Sequence, residues 1–282
     1  MKEIVFEKDK PVKLIATDMD GTLLDDNKNF PVKFAEYLDE LDKLDIRFFA
    51  ASGRSYVSLE KAFGEVGLAD KLDYICDNGA YIVKGGKPVF MSVMDFGRVL
   101  EMGRLCGKLG VTLFLCATKG TYHLDDKASL YDEVRRYYPN LTCVNSFENV
   151  KDEVFKLTIF DGNNPMLSGS YNALEERFGA DFNVQVSGSH WIDIMNKGIS
   201  KGSAIAELQK ELGISYNETM SFGDFYNDAE MLKNSYYSVV MANANEDMKQ
   251  YGRFETVSNN ENGVGAVIEK LINYSKNNSQ SG

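Results

Sequence analysis

Val12-Lys13-Leu14-Ile15-Ala16-Thr17 runs directly into Asp18-Met19-Asp20-Gly21-Thr22-Leu23. The first six residues are mostly apolar and show no helical period, the pattern of a strand buried on both faces of a parallel sheet. The two acids therefore fall just past the carboxyl end of a strand, where open α/β sheets bind their ligands. Carboxylates at i and i+2 on extended backbone project to the same side. They repel unless a cation lies between them or one keeps a proton. Such a pair suits chemistry in which one carboxylate attacks and its neighbour passes a proton to the leaving oxygen. Gly21 permits the tight turn that follows. Read alone, the same residues are equally a turn with two solvated acids.

Working outward from this stretch, Pro31 opens a predicted helix with Phe34, Leu38, Leu41 and Leu44 on one face. A second buried strand is expected at Ile46-Arg47-Phe48-Phe49-Ala50-Ala51. A helical stretch follows Ser52-Gly53-Arg54, then a third strand near Tyr74-Ile75-Cys76. This alternation is that of βαβ units. It returns late in the chain. Lys201-Gly202 opens a helix that stops at Gly213. Glu218–Phe222 is strand-like and ends in Gly223-Asp224, a short helix passes through Met231-Leu232, and Tyr237–Met241 is a strand. The last helix is expected over Val264–Ile272, with a disordered polar tail from Asn273 to Gly282. Between these halves lie Gly85-Gly86 turn signals, strands near Thr112–Cys116 and Phe155–Phe160, and helices near Asp95–Leu109 and Ser168–Phe178. The expected fold is an α/β protein with a doubly wound parallel-sheet core, residues 1–81 and 191–282, and an α+β domain inserted at 82–190.

Composition narrows the function classes. A chain of 282 residues accommodates two domains. Its formal net charge of -11 opposes nucleic-acid binding, which needs a basic face. The same charge repels phosphorylated metabolites at long range, so an anionic substrate needs a local cation. Two histidines exclude a His-rich metal site, whereas abundant carboxylates favour a hard ion such as Mg²⁺. Cys76, Cys106, Cys116 and Cys143 form no CxxC pair, and scattered thiols point to a reducing, cytoplasmic compartment. No apolar run reaches the length of a membrane span, and Met1–Glu7 lacks the apolar core of a signal peptide.

Several motifs occur together and in order. Asp18-Met19-Asp20-Gly21-Thr22 follows the first strand, and Ala51-Ser52-Gly53-Arg54 ends the second. Gly198-Ile199-Ser200-Lys201-Gly202 and Gly223-Asp224-Phe225-Tyr226-Asn227-Asp228 come late. The set resembles the four motifs of the haloacid dehalogenase superfamily. Asp77-Asn78-Gly79-Ala80, Met241-Ala242-Asn243-Ala244 and Asn262-Gly263-Val264 resemble its Cof-type branch, which carries a large α/β cap. The likeness spans roughly Val12 to Leu271.

The resemblance implies a Mg²⁺-dependent phosphatase acting on a small phosphorylated metabolite, a sugar phosphate first. Asp18 would be the nucleophile and form an aspartyl-phosphate, and Asp20 the general acid and base. Ser52, Gly53, Lys201 and Asn227 would hold the phosphate. Asp18, the main-chain carbonyl of Asp20, Asp224 and, through its shell, Asp228 would serve the metal. Arg54 and Asn78 would touch substrate or hold the hinge between domains. In the inserted domain, Tyr122, His123, Lys156, His190 and Trp191 are candidates for reading the leaving group, with packing as the plainer role of each. The sequence departs from the branch in carrying bulky Phe225 and Tyr226 where relatives often have a small residue, and in lacking an Ala-Asp pair at Tyr251-Gly252-Arg253. Three rival readings share the motifs: a phosphatase of a phosphorylated cofactor such as pyridoxal phosphate or flavin mononucleotide, a phosphomutase, and a non-catalytic phosphometabolite sensor.

Overall fold

The computed structural model describes residues 2–124, 138, 140–187 and 189–279. In chain order its strands are β1 (Leu14–Asp18), β2 (Arg47–Ala51), β3 (Asp73–Cys76), β4 (Tyr81–Lys84), β5 (Lys87–Met91), β6 (Thr112–Ala117) and β7 (Gly120–His123), then β8 (Leu141–Cys143), β9 (Val154–Phe160), β10 (Phe182–Val186), β11 (Trp191–Asn196), β12 (Thr219–Gly223), β13 (Tyr237–Met241) and β14 (Phe254–Thr256). The chain forms two units: Met1–Gly53, Ala62–Val89 and Ser200–Gly282 in the first, Arg54–Lys61 and Phe90–Ile199 in the second.

In the first unit every residue of β1 is buried, as a strand covered on both faces must be. The sheet order is β14-β13-β12-β1-β2-β3-β4-β5. β1 is parallel to β2, with Asp18 opposite Ala51, and parallel to β12, with Thr17 opposite Phe222. The chain thus builds outward from β1 through β2 and β3, then returns to lay β12, β13 and β14 on the other side. This reversal puts the topological switch point between the carboxyl ends of β1 and β12. Helix Phe34–Lys43 buries Phe34, Tyr37, Leu38 and Leu41, a stripe of helical period. Helix Lys201–Leu212 starts on Ser200, whose hydroxyl accepts from Ser203 N, and stops at left-handed Gly213.

The second unit has a sheet in the order β10-β11-β9-β6-β7-β8. Pairing is antiparallel from β10 through to β7. Alternation gives its two faces different chemistry. Leu113, Leu115, Leu157, Ile159, Ile192 and Ile194 enter an apolar cluster with Val99 and Met102 of helix Phe96–Leu109 and Leu174 and Phe178 of helix Ser170–Phe178. The intervening positions carry Phe114, Cys116, Lys156, Thr158 and Asp193, all buried.

Three expectations differ from the structure. The seams expected at 81/82 and 190/191 do not follow sheet membership: β4 pairs with β3 and β5 extends the same sheet, while β11 lies inside the second sheet. Gly85 and Gly86, both at positive φ, turn β4 into β5, as mirror-image hairpin turns require. The first helix begins at Phe34 because Pro31 to Lys33 form a separate turn, closed by Phe34 N–H to Pro31 O at 2.9 Å. The last helix runs Gly263–Ser279, past the point where disorder was expected. Tyr274 packs on Phe6 with ring centroids 5.5 Å apart, and Lys276 pairs with Glu40, so the polar residues have partners.

Candidate active site

Asp18 is the last residue of β1, and Asp224 follows the last residue of β12, so the switch point delivers both acids to one place. Asp18, Asp224 and Asp228 each offer an oxygen, and the three lie within 4.8 Å of one another. Lys201 binds between two of them. Its Nζ donates to Asp18 Oδ1 and, at 2.7 Å, to Asp228 Oδ1. Asp228 is filled on its other oxygen by the N–H groups of Asp224 at 3.1 Å and Phe225 at 3.2 Å. The Thr22 hydroxyl donates to Asp224 Oδ1 at 2.7 Å. Gly21, at φ 88, lies under this carboxylate: a Cβ there would come within 2.5 Å of Asp224 Oδ2. A side chain at residue 21 would thus be strained and would also displace the acid.

Burial governs the charges. It pushes Asp18 up, with Asp228 and Asp224 adding to the rise and Lys201 opposing it. Asp224 is pushed up to about 6, mainly by burial, against the Thr22 hydroxyl bond. Burial alone pulls Lys201 down, but Asp18 and Asp228 more than offset it and the amine ends above its usual value. As the first residue of its helix, Lys201 also stands at the end that disfavours cations. Three carboxylates around one ammonium leave a buried excess of negative charge. The donors are hard oxygens, the set that suits Mg²⁺.

A second group adjoins through the backbone. Ser52 is buried just past β2. Its N–H donates to Ile75 O, and its carbonyl accepts from Asn78 N–H, both at 2.9 Å. Asn78 sits in the left-handed region at φ 54, which Asn tolerates. Its side-chain oxygen accepts from Asn227 Nδ2 at 3.2 Å, and Gly53 lies under its amide, 3.2 Å from where a Cβ would stand. Ser52, Gly53, Asn78 and Asn227 are therefore joined. Asp20 is half-exposed and turns to Lys28, 2.8 Å away. Arg54 belongs to the second unit. There, too, Tyr122 donates to Asp152 at 3.0 Å, His190 meets the Asp161 carbonyl at 3.1 Å, Trp191 packs edge-on against Phe160, and His123 is buried against the Phe114 ring.

Sequence reasoning missed Thr22, Lys28 and Asn243. Thr22 stands inside the first motif and was read only as part of its pattern. Lys28 reaches Asp20 from the Asp25–Asn29 turn, a cluster of turn-forming residues that gave a local signal. Asn243 donates to Gly21 O at 2.8 Å across 222 positions; the Met241–Ala244 motif marks the residue but does not give its partner.

A doubly wound sheet with clustered carboxylates and a buried lysine at its switch point defines the class, that of the haloacid dehalogenase-like hydrolases. The chain belongs to the haloacid dehalogenase-like hydrolase family, whose model matches residues 15–268. It is a phosphoric monoester hydrolase, as its named relatives are phosphatases. It is 33% identical over 271 residues to the 5-amino-6-(5-phospho-D-ribitylamino)uracil phosphatase YbjI of Escherichia coli (strain K12), covering 93% of this chain and 97% of that one. It is 24% identical over 277 residues to the phosphatase YcsE of Bacillus subtilis (strain 168), named for the same substrate, covering 95% and 99%. Its fold matches the crystal structure of SMU.1108c from Streptococcus mutans UA159 with a TM-score of 0.81 at 29% identity, covering 93% and 99%. Among the described residues no helix is long and apolar enough to cross a membrane.

Proposed function

We propose that the chain hydrolyses a small phosphomonoester through an aspartyl-phosphate on Asp18, with Mg²⁺ as cofactor. The observation that carries this reading is the Asp18–Lys201–Asp228 contact beside Asp224 at the switch point. Asp18 attacks phosphorus and the ester P–O bond breaks, with Asp20 giving its proton to the leaving oxygen. Water then attacks phosphorus, Asp20 takes its proton, and the P–O bond to Asp18 breaks. Lys201 holds the phosphoryl oxygens and Asp18 in line, with Ser52, Gly53 and Asn227 around them. Asp228 is engaged on both oxygens, so Asp18 and Asp224 are assigned as carboxylate ligands of the ion, with the Asp20 carbonyl. When bound, Mg²⁺ neutralises the charge that a dianion and a carboxylate bring together.

The substrate class is a phosphate on a sugar or polyol chain. The relatives named for a phosphoribitylamino-uracil support it, because that ester is a polyol phosphate. The second unit is read as the part that selects among leaving groups. The test is a rapid acid quench during turnover with Mg²⁺. Phosphate bound covalently to the wild-type protein, absent from Asp18→Asn, is the expected outcome. Hydrolysis that inverts a chiral phosphorus centre would instead mean direct attack by water and would overturn the aspartyl-phosphate.

A further inference from the structure

The acidic loop after β12 presents two surfaces. Asp224 and Asp228 turn to the carboxylate cluster, whereas Phe225 and Tyr226 between them are 54% and 48% exposed. A single exposed aromatic needs no explanation. Two consecutive ones do when they directly follow a cluster carboxylate and one of them is fixed. The Tyr226 hydroxyl donates to Asp247 at 2.9 Å, and the two rings meet edge to face with centroids 5.0 Å apart. Phe225 is anchored by its own N–H on the buried Asp228 carboxylate. The loop is therefore braced at 225, 226 and, through Asn78, at 227. Exposed apolar rings on a braced loop are a pre-organised surface that loses little conformational entropy on binding. Rings of this kind gain most from another flat π-system, by offset or edge-to-face packing.

We infer that Phe225 and Tyr226 form an aromatic platform that holds the flat ring of a heterocycle-bearing phosphomonoester while its phosphate occupies the Asp18 site. This rests on the phosphatase reading and deepens it: the preferred ester carries a planar ring at the far end of its polyol. Stacking provides sequence-tolerant affinity for any flat ring, so the platform selects for ring-bearing esters as a class. Phe225 is the principal face, being the more exposed, and Tyr226 supports it from the edge.

The experiment compares two esters that share a polyol phosphate, 5-amino-6-(5-phospho-D-ribitylamino)uracil and ribitol 5-phosphate, on wild type, Phe225→Ala and Phe225→Trp. The ratio of kcat/KM, ring-bearing over ring-free, should fall roughly five- to tenfold in Phe225→Ala, the lower part of the range for one stacked base. Phe225→Trp should restore it. A ratio within about twofold of wild type in Phe225→Ala overturns the platform, and so does failure of Trp to rescue. The same comparison is read without turnover, from calorimetric Kd values for both esters with Mg²⁺ present, on Asp18→Asn with and without Phe225→Ala. Wild type that releases phosphate from neither ester with Mg²⁺ defeats the parent reading alone, and the Kd ratio then still decides the platform.

Discussion

Among the described residues two lysines are buried, one in each unit, and they sit in unlike surroundings. Lys201 is fully buried among Asp18, Asp224 and Asp228, one cation for three carboxylates. Lys156 in the second unit is 1% exposed, pairs with Asp193 at 3.4 Å and donates to the Tyr138 hydroxyl at 3.0 Å. Thr158 donates to Asp193 at 2.9 Å and lies 3.1 Å from Tyr138. Among the described residues the second network sets one cation against one carboxylate, with hydroxyls bonded to both. The first holds surplus negative charge that folding alone does not neutralise. A buried charge without compensation is costly, and it persists where a ligand relieves it. The difference teaches how to separate a reactive cluster from a structural one: count charges before counting hydrogen bonds.

The sharpest test sets Lys201→Met against Lys156→Met. The first should lower kcat/KM on every ester alike by roughly 10²–10³-fold, the effect of losing one preorganised donor to a transition-state anion. The second should lower stability by about 3–5 kcal/mol, because Asp193 keeps a buried charge without its partner. Turnover of the protein that remains folded should fall far less than for Lys201→Met. Equal losses of turnover, at matched folded fraction, would break the distinction between the two lysines.

Next in size is the response to metal and pH. Asp224 moves from 3.8 when unfolded to about 6 when folded, a rise of roughly two units, on the order of 3 kcal/mol. The sign follows from proton counting. Below 3.8 both states are protonated and no penalty exists. Between 3.8 and about 6 the folded state holds more protons, so stability falls as pH rises, and the full penalty stands above about 6. Asp224 should therefore cost the metal-free protein stability from pH 4 to pH 7, and Mg²⁺, by relieving that cost, should raise the melting temperature more at pH 8 than at pH 5. Thermal scans at both pH values, with Mg²⁺ or chelator, measure this. Equal Mg²⁺ effects at pH 5 and 8 would mean that the surplus charge is not what the ion relieves.

The smallest expected effect compares two threonines. Thr22→Val removes the hydroxyl that holds Asp224 down, so its carboxyl rises further and more Mg²⁺ is needed for half-maximal activity. Thr158→Val should cost about 1.5–3 kcal/mol of stability, the range for a bond to a charged group, and leave the Mg²⁺ requirement where it was. Activity against Mg²⁺ concentration, beside a denaturant midpoint for each variant, distinguishes the two.

The first cluster was legible in the sequence because its members sit at strand and helix ends, where motif spacing fixes geometry. Asp18 ends an apolar run, and Lys201 stands in a recognisable motif where a helix opens. The second network was not legible. Lys156, Thr158 and Asp193 face each other only because β9 pairs with β11, and partner choice between distant strands leaves no local trace. The Gly85-Gly86 turn failed for a related reason: it announces a hairpin but not the sheet that the hairpin joins. The end of the last helix was misread from polarity alone, since Tyr274 finds Phe6 across the fold.

The central place of β1 has a consequence for the order in which the chain can be made. Thr22 and Asp224, bonded in the finished site, stand 202 positions apart. A chain growing from its amino end can pair β1 with β2 early, but its other neighbour, β12, starts only at Thr219. Until then one side of a strand that is buried along its whole length in the finished fold is an open ladder, the kind of edge that draws in foreign strands. The acid cluster, too, is incomplete until Asp224 and Asp228 have been made. A chain halted before Thr219 would be a hazard to its neighbours and not a weak enzyme, and the strand that completes the acid cluster is also the one that closes that edge.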